Sequence, residues 1–182
     1  MTRKANRPQD TGRRERSAVM LEIDLNNQQT RHAIDSDRLI EAGRRVLHGQ
    51  GVRLGSLSIA VVEDATIHEL NRRYLQHDYP TDVLSFLLEE SPGQVVGEVV
   101  VSADTAAERC GEFGWTVQDE LLLYVVHGVL HLVGFDDGTA AQRAAMRARE
   151  RFYLSELGLS PRNDDSDAEE GEGSEDAEEA GP

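Results

Sequence analysis

The sequence predicts an α+β fold, a single layered domain in which a small mixed β-sheet is flanked by helices. Three observations lead there. Short runs rich in Val, Ile and Leu alternate with stretches whose apolar residues recur every three or four positions. Two strand-like runs follow each other directly around a Ser-Pro-Gly turn. Beyond them the chain turns helical, so the order reads βαβαββααα, and 182 residues suit one core.

Residues 19–27 (VMLEIDLNN) alternate well enough for a strand that ends in an Asn-Asn turn. A helix follows from Asp35, with Asp35 or Ser36 as cap and Leu39, Ile40, Gly43, Val46 and Leu47 on one side. The β-branched run 55–64 is the second strand. Residues 65–75 form a short helix capped by Asp64, with Ile67, Leu70 and Tyr74 together. Residues 82–89 and 95–102 read as strands. The helix over 102–114 opens on a Ser or Asp cap and ends at a glycine. The next, 116–135, begins with Thr116 and Glu120 close to a capping pattern, and its nearly all-apolar run marks it as buried. The last, 138–158, is amphipathic, with Ala141, Ala145, Met146, Phe152 and Leu154 expected to pack inward.

The chain holds 34 acidic and 19 basic residues, a net charge of -15, which argues against an indiscriminate nucleic-acid binder built on a broad basic face. The charge is uneven. Residues 1–17 carry six basic and two acidic groups and read as a flexible basic arm; residues 163–182 carry ten acids and no base. The expected organisation is an arm over 1–17, a folded domain over 18–160 and a disordered acidic tail over 161–182. Cys110 stands alone, so neither an intramolecular disulfide nor a Cys-rich zinc module is available. The longest apolar run, Leu121 to Phe135, is broken by His127, Gly128, His131 and Gly134 and falls short of the roughly 20 residues of a membrane span. No apolar segment follows the basic start, so a cytoplasmic location is expected. Gly49, Gly51 and Gly55 lack the pattern of a phosphate-binding loop.

Chemistry concentrates in the apolar helix. His127 and His131 are four residues apart and point the same way, one turn above the other. Two imidazoles among Leu and Val are costly unless each finds a partner, and a shared metal ion satisfies both. Gly134 can end the helix and bend the chain back, bringing Asp136 or Asp137 to a third position. With Asp137 the pattern is HxxxHxxGxxD: two nitrogens, one carboxylate and an open fourth site, the arrangement of catalytic zinc. The peptidase pattern HExxH requires a glutamate where this chain has Gly128, which argues against peptide hydrolysis. A phosphodiester is open to attack by an RNA 2′-OH or by water, with a metal or an arginine stabilising the phosphoryl oxygens.

The motifs LNRRY (70–74), PTDVLSF (80–86), GEVVVS (97–102) and HGVLHLVGFDD (127–137), followed by Met146 and Glu150, resemble the YbeY family of bacterial endoribonucleases, the rRNA maturation factors. The resemblance implies a mixed sheet flanked by helices with the metal-binding helix-turn in its core, and one zinc ion. It also implies single-strand-specific RNA cleavage in ribosomal RNA maturation, at the 16S 3′ end, and in ribosome quality control. Ribosomal RNA and ribosomal particles are the implied partners, with a ribosomal protein or an assembly GTPase as further candidates; neither membrane nor DNA is expected.

Carried over residue by residue, His127 and His131 match the first two ligands, and Asp137 stands where the family has a histidine. Its charge would make the ion a weaker Lewis acid. Asp136 is expected to orient the turn or a hydrogen bond behind the ligands. The family's arginine after LNxxY is Leu75 here. At about 100° per residue, Arg72 lies nearer to that direction than Arg73, which makes Arg72 the candidate phosphate contact and Arg73 a further substrate-binding residue. Thr81 and Asp82 belong to the segment that lines the family's cleft, and Glu98 is an acid or base candidate if it faces the metal. Leu87 replaces the usual proline after LSF. Asp137 and Leu75 also leave room for a second reading, a ribosome-associated assembly protein with a largely structural metal site.

Overall fold

Four segments with Val, Ile or Leu in inward positions make one sheet, and the computed structural model describes it within residues 20–160. The arm and tail expected over 1–17 and 161–182 lie outside the described residues. The elements are β1 (Glu22–Asn27), α1 (Ser36–Gly49), β2 (Leu54–Val62), α2 (Asp64–Leu75), β3 (Val83–Ser91), β4 (Gln94–Ser102), α3 (Ala103–Arg109), a 3₁₀ turn (Cys110–Phe113), α4 (Val117–Leu132) and α5 (Ala140–Glu156). Strand order is β1-β2-β4-β3. β1 runs parallel to β2 and β2 to β4, whereas β3 and β4 form an antiparallel hairpin. The sheet is therefore mixed, as expected.

Each sheet face has its own core. Leu57, Ile59, Val61, Val95, Val99 and Val101 pack with the inner faces of α1, α4 and α5. Ala60, Val62, Leu84 and Val100 pack with Ile67 of α2 on the other face. α4 lies directly against β3 and β4 at Gly128. A Cβ there would stand 2.7 Å from Val99 Cγ1 and 2.9 Å from both Ser85 Oγ and Val83 Cγ2. The residue that interrupts the peptidase pattern is thus the one that lets helix and sheet meet; it faces the sheet, not the histidines.

Several local expectations are corrected. Asn26 and Asn27 do not turn but stay paired with Ala60 and Val61. Asp64 is the first residue of α2 rather than its cap, and its carboxylate accepts from the Ser102 and Thr105 hydroxyls. Asp119 completes the capping box with Thr116, freeing Glu120 to be fully buried. On α5 the inward residues are Met146, Tyr153 and Leu154, while Ala141 and Ala145 are exposed and Phe152 is 48% exposed. The Tyr153 hydroxyl accepts from Gln50 Nε2 at 2.8 Å.

Candidate metal centre

Thr116 starts α4 with a side-chain cap, and sixteen residues later the helix stops because Gly134 takes φ +92°, a conformation glycine adopts without strain. The Phe135 N–H donates back to the Leu130 carbonyl at 3.1 Å and the Gly134 N–H to the His131 carbonyl at 3.1 Å. This bend carries the Phe135 carbonyl beneath the last turn of α4 and swings Asp137 toward the histidines.

His127 and His131 project from successive turns, and their Nε2 atoms stand 3.0 Å apart. Their other nitrogens are held from behind. His127 Nδ1 donates to Glu150 Oε1 of α5 at 2.6 Å, and His131 Nδ1 donates to the Phe135 carbonyl at 3.0 Å. A carboxylate and a carbonyl only accept, so in both neutral rings the proton sits on Nδ1 and the lone pair on Nε2. Two lone pairs at 3.0 Å repel unless a cation or a proton lies between them. Asp137 Oδ2 lies 4.0 Å from His127 Nε2, and one donor atom from each of His127, His131 and Asp137 falls within 4.8 Å of the others. Zinc–donor bonds of roughly 2.0–2.2 Å separate tetrahedral ligands by about 3.3–3.5 Å, so this set fits a single ion.

The electrostatics agree. Burial on its own would lower the pKa of His127, but the hydrogen bond and charge of Glu150, with Asp82 and Asp137, outweigh it and hold the pKa above its ordinary value. His131 is lowered by burial and by the neighbouring His127 charge. The pair therefore favours one positive charge rather than two.

Asp136 is turned away from this point. Its carboxylate accepts from the Asp137 N–H at 2.8 Å and from Gln142 Nε2 at 3.3 Å, tying the bend to the start of α5. Thr81 and Asp82 line the same hollow as His127, His131 and Asp137, together with Leu75 and Ser85. Asp82 Oδ1 accepts from the Val83 N–H and the Thr81 hydroxyl, which shapes that wall. Arg72 and Arg73 are not brought there: Arg72 pairs with Glu69 on the surface of α2, and Arg73 lies over the Tyr74 ring. Glu98 shares a sheet face with Val100, under α2, so it does not face the histidines. Ser85 donates to the Gly128 carbonyl and Phe86 packs edge-on to Tyr74, both structural roles. Glu150 is the member of the site to which the sequence pattern assigns no role. Its signal is an acid on the inward stripe Met146, Tyr153 and Leu154 of α5.

A mixed sheet carrying a solvent-reachable His–His–Asp set on a helix-turn has the layout of a metal-dependent hydrolase. The sequence model for endoribonuclease YbeY matches residues 24–158, and the chain belongs to the YbeY endoribonuclease family. Similar proteins include endoribonuclease YbeY of Rhodopirellula baltica, 47% identical over 65% of this chain and 63% of that protein. Those of Salinibacter ruber (42%; 67% of this chain and 83% of that one) and Moorella thermoacetica (39%; 76% and 99%) are also similar. The chain thus spans less than two thirds of the Rhodopirellula relative and nearly all of the Moorella one. The solution structure of TM1509 from Thermotoga maritima is 26% identical, with a TM-score of 0.50 over 76% of this chain and 89% of that one. Among the described residues, no helix is long and apolar enough to cross a membrane.

Proposed function

We propose that this chain is a zinc-dependent endoribonuclease that cuts single-stranded ribosomal RNA, with His127, His131 and Asp137 as the metal ligands. The observation that carries the reading is the pair of Nε2 lone pairs 3.0 Å apart, each ring fixed by a partner on its Nδ1. Two imidazoles and one carboxylate are the donor set of catalytic zinc, which supplies Lewis acidity toward a phosphoryl oxygen or a water when bound.

The chain's own residues do the rest. Glu150 and the Phe135 carbonyl keep the imidazoles from rotating and raise their basicity as ligands. Asp137 is half exposed, which leaves the centre open to a strand of RNA. Thr81 and Asp82 shape the wall along which that strand lies. Family membership supports ribosomal particles as the substrate's setting, with 16S 3′-end maturation and quality control of defective ribosomes as the processes served and the cytoplasm as the location.

The test is cleavage of an unstructured, end-labelled RNA by purified protein. Cutting should stop with chelator, return with zinc, and be absent in His131→Ala with circular dichroism unchanged. Equal cutting by that variant would overturn the proposal.

A further inference from the structure

The hollow that holds His127, His131 and Asp137 has no arginine or lysine in its lining, and the chain carries a net charge of -15. Apart from a bound metal, little there attracts a phosphate, so grip on a strand falls to contacts with its bases. Exposed apolar surface collects beside this hollow. Tyr74, Leu75 and Tyr79, each half or more exposed, come from the end of α2 and the loop that leads into β3. Both ends of that loop line the hollow, through Leu75 on one side and Thr81 on the other. His77 lies two residues from Leu75 and Tyr79 two from Thr81, so at about 3.3–3.6 Å per residue each backbone stands within roughly 7 Å of the lining.

Within the loop two rings are already stacked. His77 and Tyr79 lie face to face, their centroids 5.4 Å apart and their planes 11° from parallel, and both residues are exposed. The backbone that carries them is held from α2. Asn71, 1% exposed, donates from Nδ2 to the Tyr79 carbonyl at 2.8 Å, and its own carbonyl accepts from the His77 N–H at 3.4 Å. His68 Nε2 lies 2.9 Å from Asp78 Oδ1. Gln76 takes φ +61°, the one non-glycine residue with a positive φ among the described residues. A buried amide and a left-handed glutamine thus order a loop whose two rings stay in solvent. Rings fixed in advance lose little freedom when a third flat group joins them.

Resting on the reading of the chain as an endoribonuclease, we infer that His77 and Tyr79 are a stacking platform for an unpaired nucleobase, that of a nucleotide flanking the one at the metal centre. The base extends the two-ring stack, and every base has a face to offer, so the platform tolerates any sequence. In a duplex both faces of each base are covered by its neighbours, so the platform favours single strands.

The test uses the full chain with zinc and a short fluorescein-labelled oligouridine. Tyr79→Ala should weaken binding roughly tenfold, within what stacking on one ring supplies, and leave the salt-dependence slope unchanged because no charge is removed. KM should rise while kcat holds. Tyr79→Trp should restore affinity, and the emission of the added indole should be quenched by the oligouridine but not by a ribose-phosphate chain of the same length lacking bases. Phe152→Ala, which removes an exposed ring on α5, should leave affinity and KM as they are. Wild-type affinity in Tyr79→Ala, an equal loss in Phe152→Ala, or equal quenching by the baseless chain would overturn the platform. So would equal quenching by a leucine-rich peptide, which would make the loop a protein-docking surface. Base-dependent quenching without any cleavage would leave the platform standing and remove the nuclease reading; cleavage with wild-type KM in Tyr79→Ala would do the reverse.

Discussion

Replacing Glu150 by Gln removes a charge behind His127 while leaving the side chain's size nearly unchanged. The carboxylate is 15% exposed and 2.6 Å from Nδ1, so the bond it accepts is short, charge-assisted and largely shielded from water. Partners of this kind behind ligating histidines typically govern about 10–100-fold in metal affinity. Burial and distance place Glu150 toward the upper part of that range, about 30–100-fold, or roughly 2.1–2.8 kcal/mol at 1.4 kcal/mol per decade. Competition against a chromophoric zinc chelator measures it directly, and thermal unfolding of the metal-free proteins separates a metal effect from a folding one. The metal-free comparison also has a sign. A histidine held above its ordinary pKa contributes stability that is full below about pH 6.5 and is lost as pH rises through the folded value. The wild type's advantage over Glu150→Gln should therefore shrink as pH is raised from there. Unchanged zinc affinity in Glu150→Gln, with the fold intact, would refute the role given to this residue.

Further outcomes are expected. In metal-free protein, NMR of the imidazoles should show His127 taking its proton above the ordinary histidine value and His131 below it; coincident titrations would contradict the one-proton pair. Because both nitrogens must be deprotonated to ligate, zinc affinity should fall as pH is lowered, and the decline should begin above the ordinary histidine range. Gly128→Ala should cost about 1–3 kcal/mol through contacts with Val99 and Val83, lowering Tm by several degrees, and a Tm equal to wild type would mean that α4 does not lie so close to the sheet. Leu75→Arg adds a guanidinium to the hollow that has none, so kcat/KM on unstructured RNA should rise roughly tenfold, as one charge-assisted phosphate contact allows; no rise would place the substrate away from Leu75.

The elements were legible because apolar spacing reports which face is buried, and burial selects helix or strand over most of this chain. The His127–His131 pair was legible for the same reason: two imidazoles on an apolar helix demand partners. Local spacing alone left Asp136 and Asp137 equivalent. Only the bend at Gly134 separates them, sending Asp136 to the start of α5 and Asp137 toward the histidines. Glu150 comes from α5, far from His127 in sequence, and no local period connects the two. Phe152 misled because an aromatic residue on an amphipathic helix suggests burial, whereas the inward stripe runs through Tyr153, whose hydroxyl has Gln50 to bond. The angular case for Arg72 treated α2 in isolation and could not include Glu69, which holds that guanidinium on the helix surface.

Anomalous diffraction at the zinc edge from crystals of the full chain grown with zinc tests the central claim most directly. One peak per chain should lie between His127 Nε2 and His131 Nε2, with a carboxylate oxygen of Asp137 as third ligand. A zinc-replete crystal with no peak there, or with the two imidazoles turned away from each other, would contradict it.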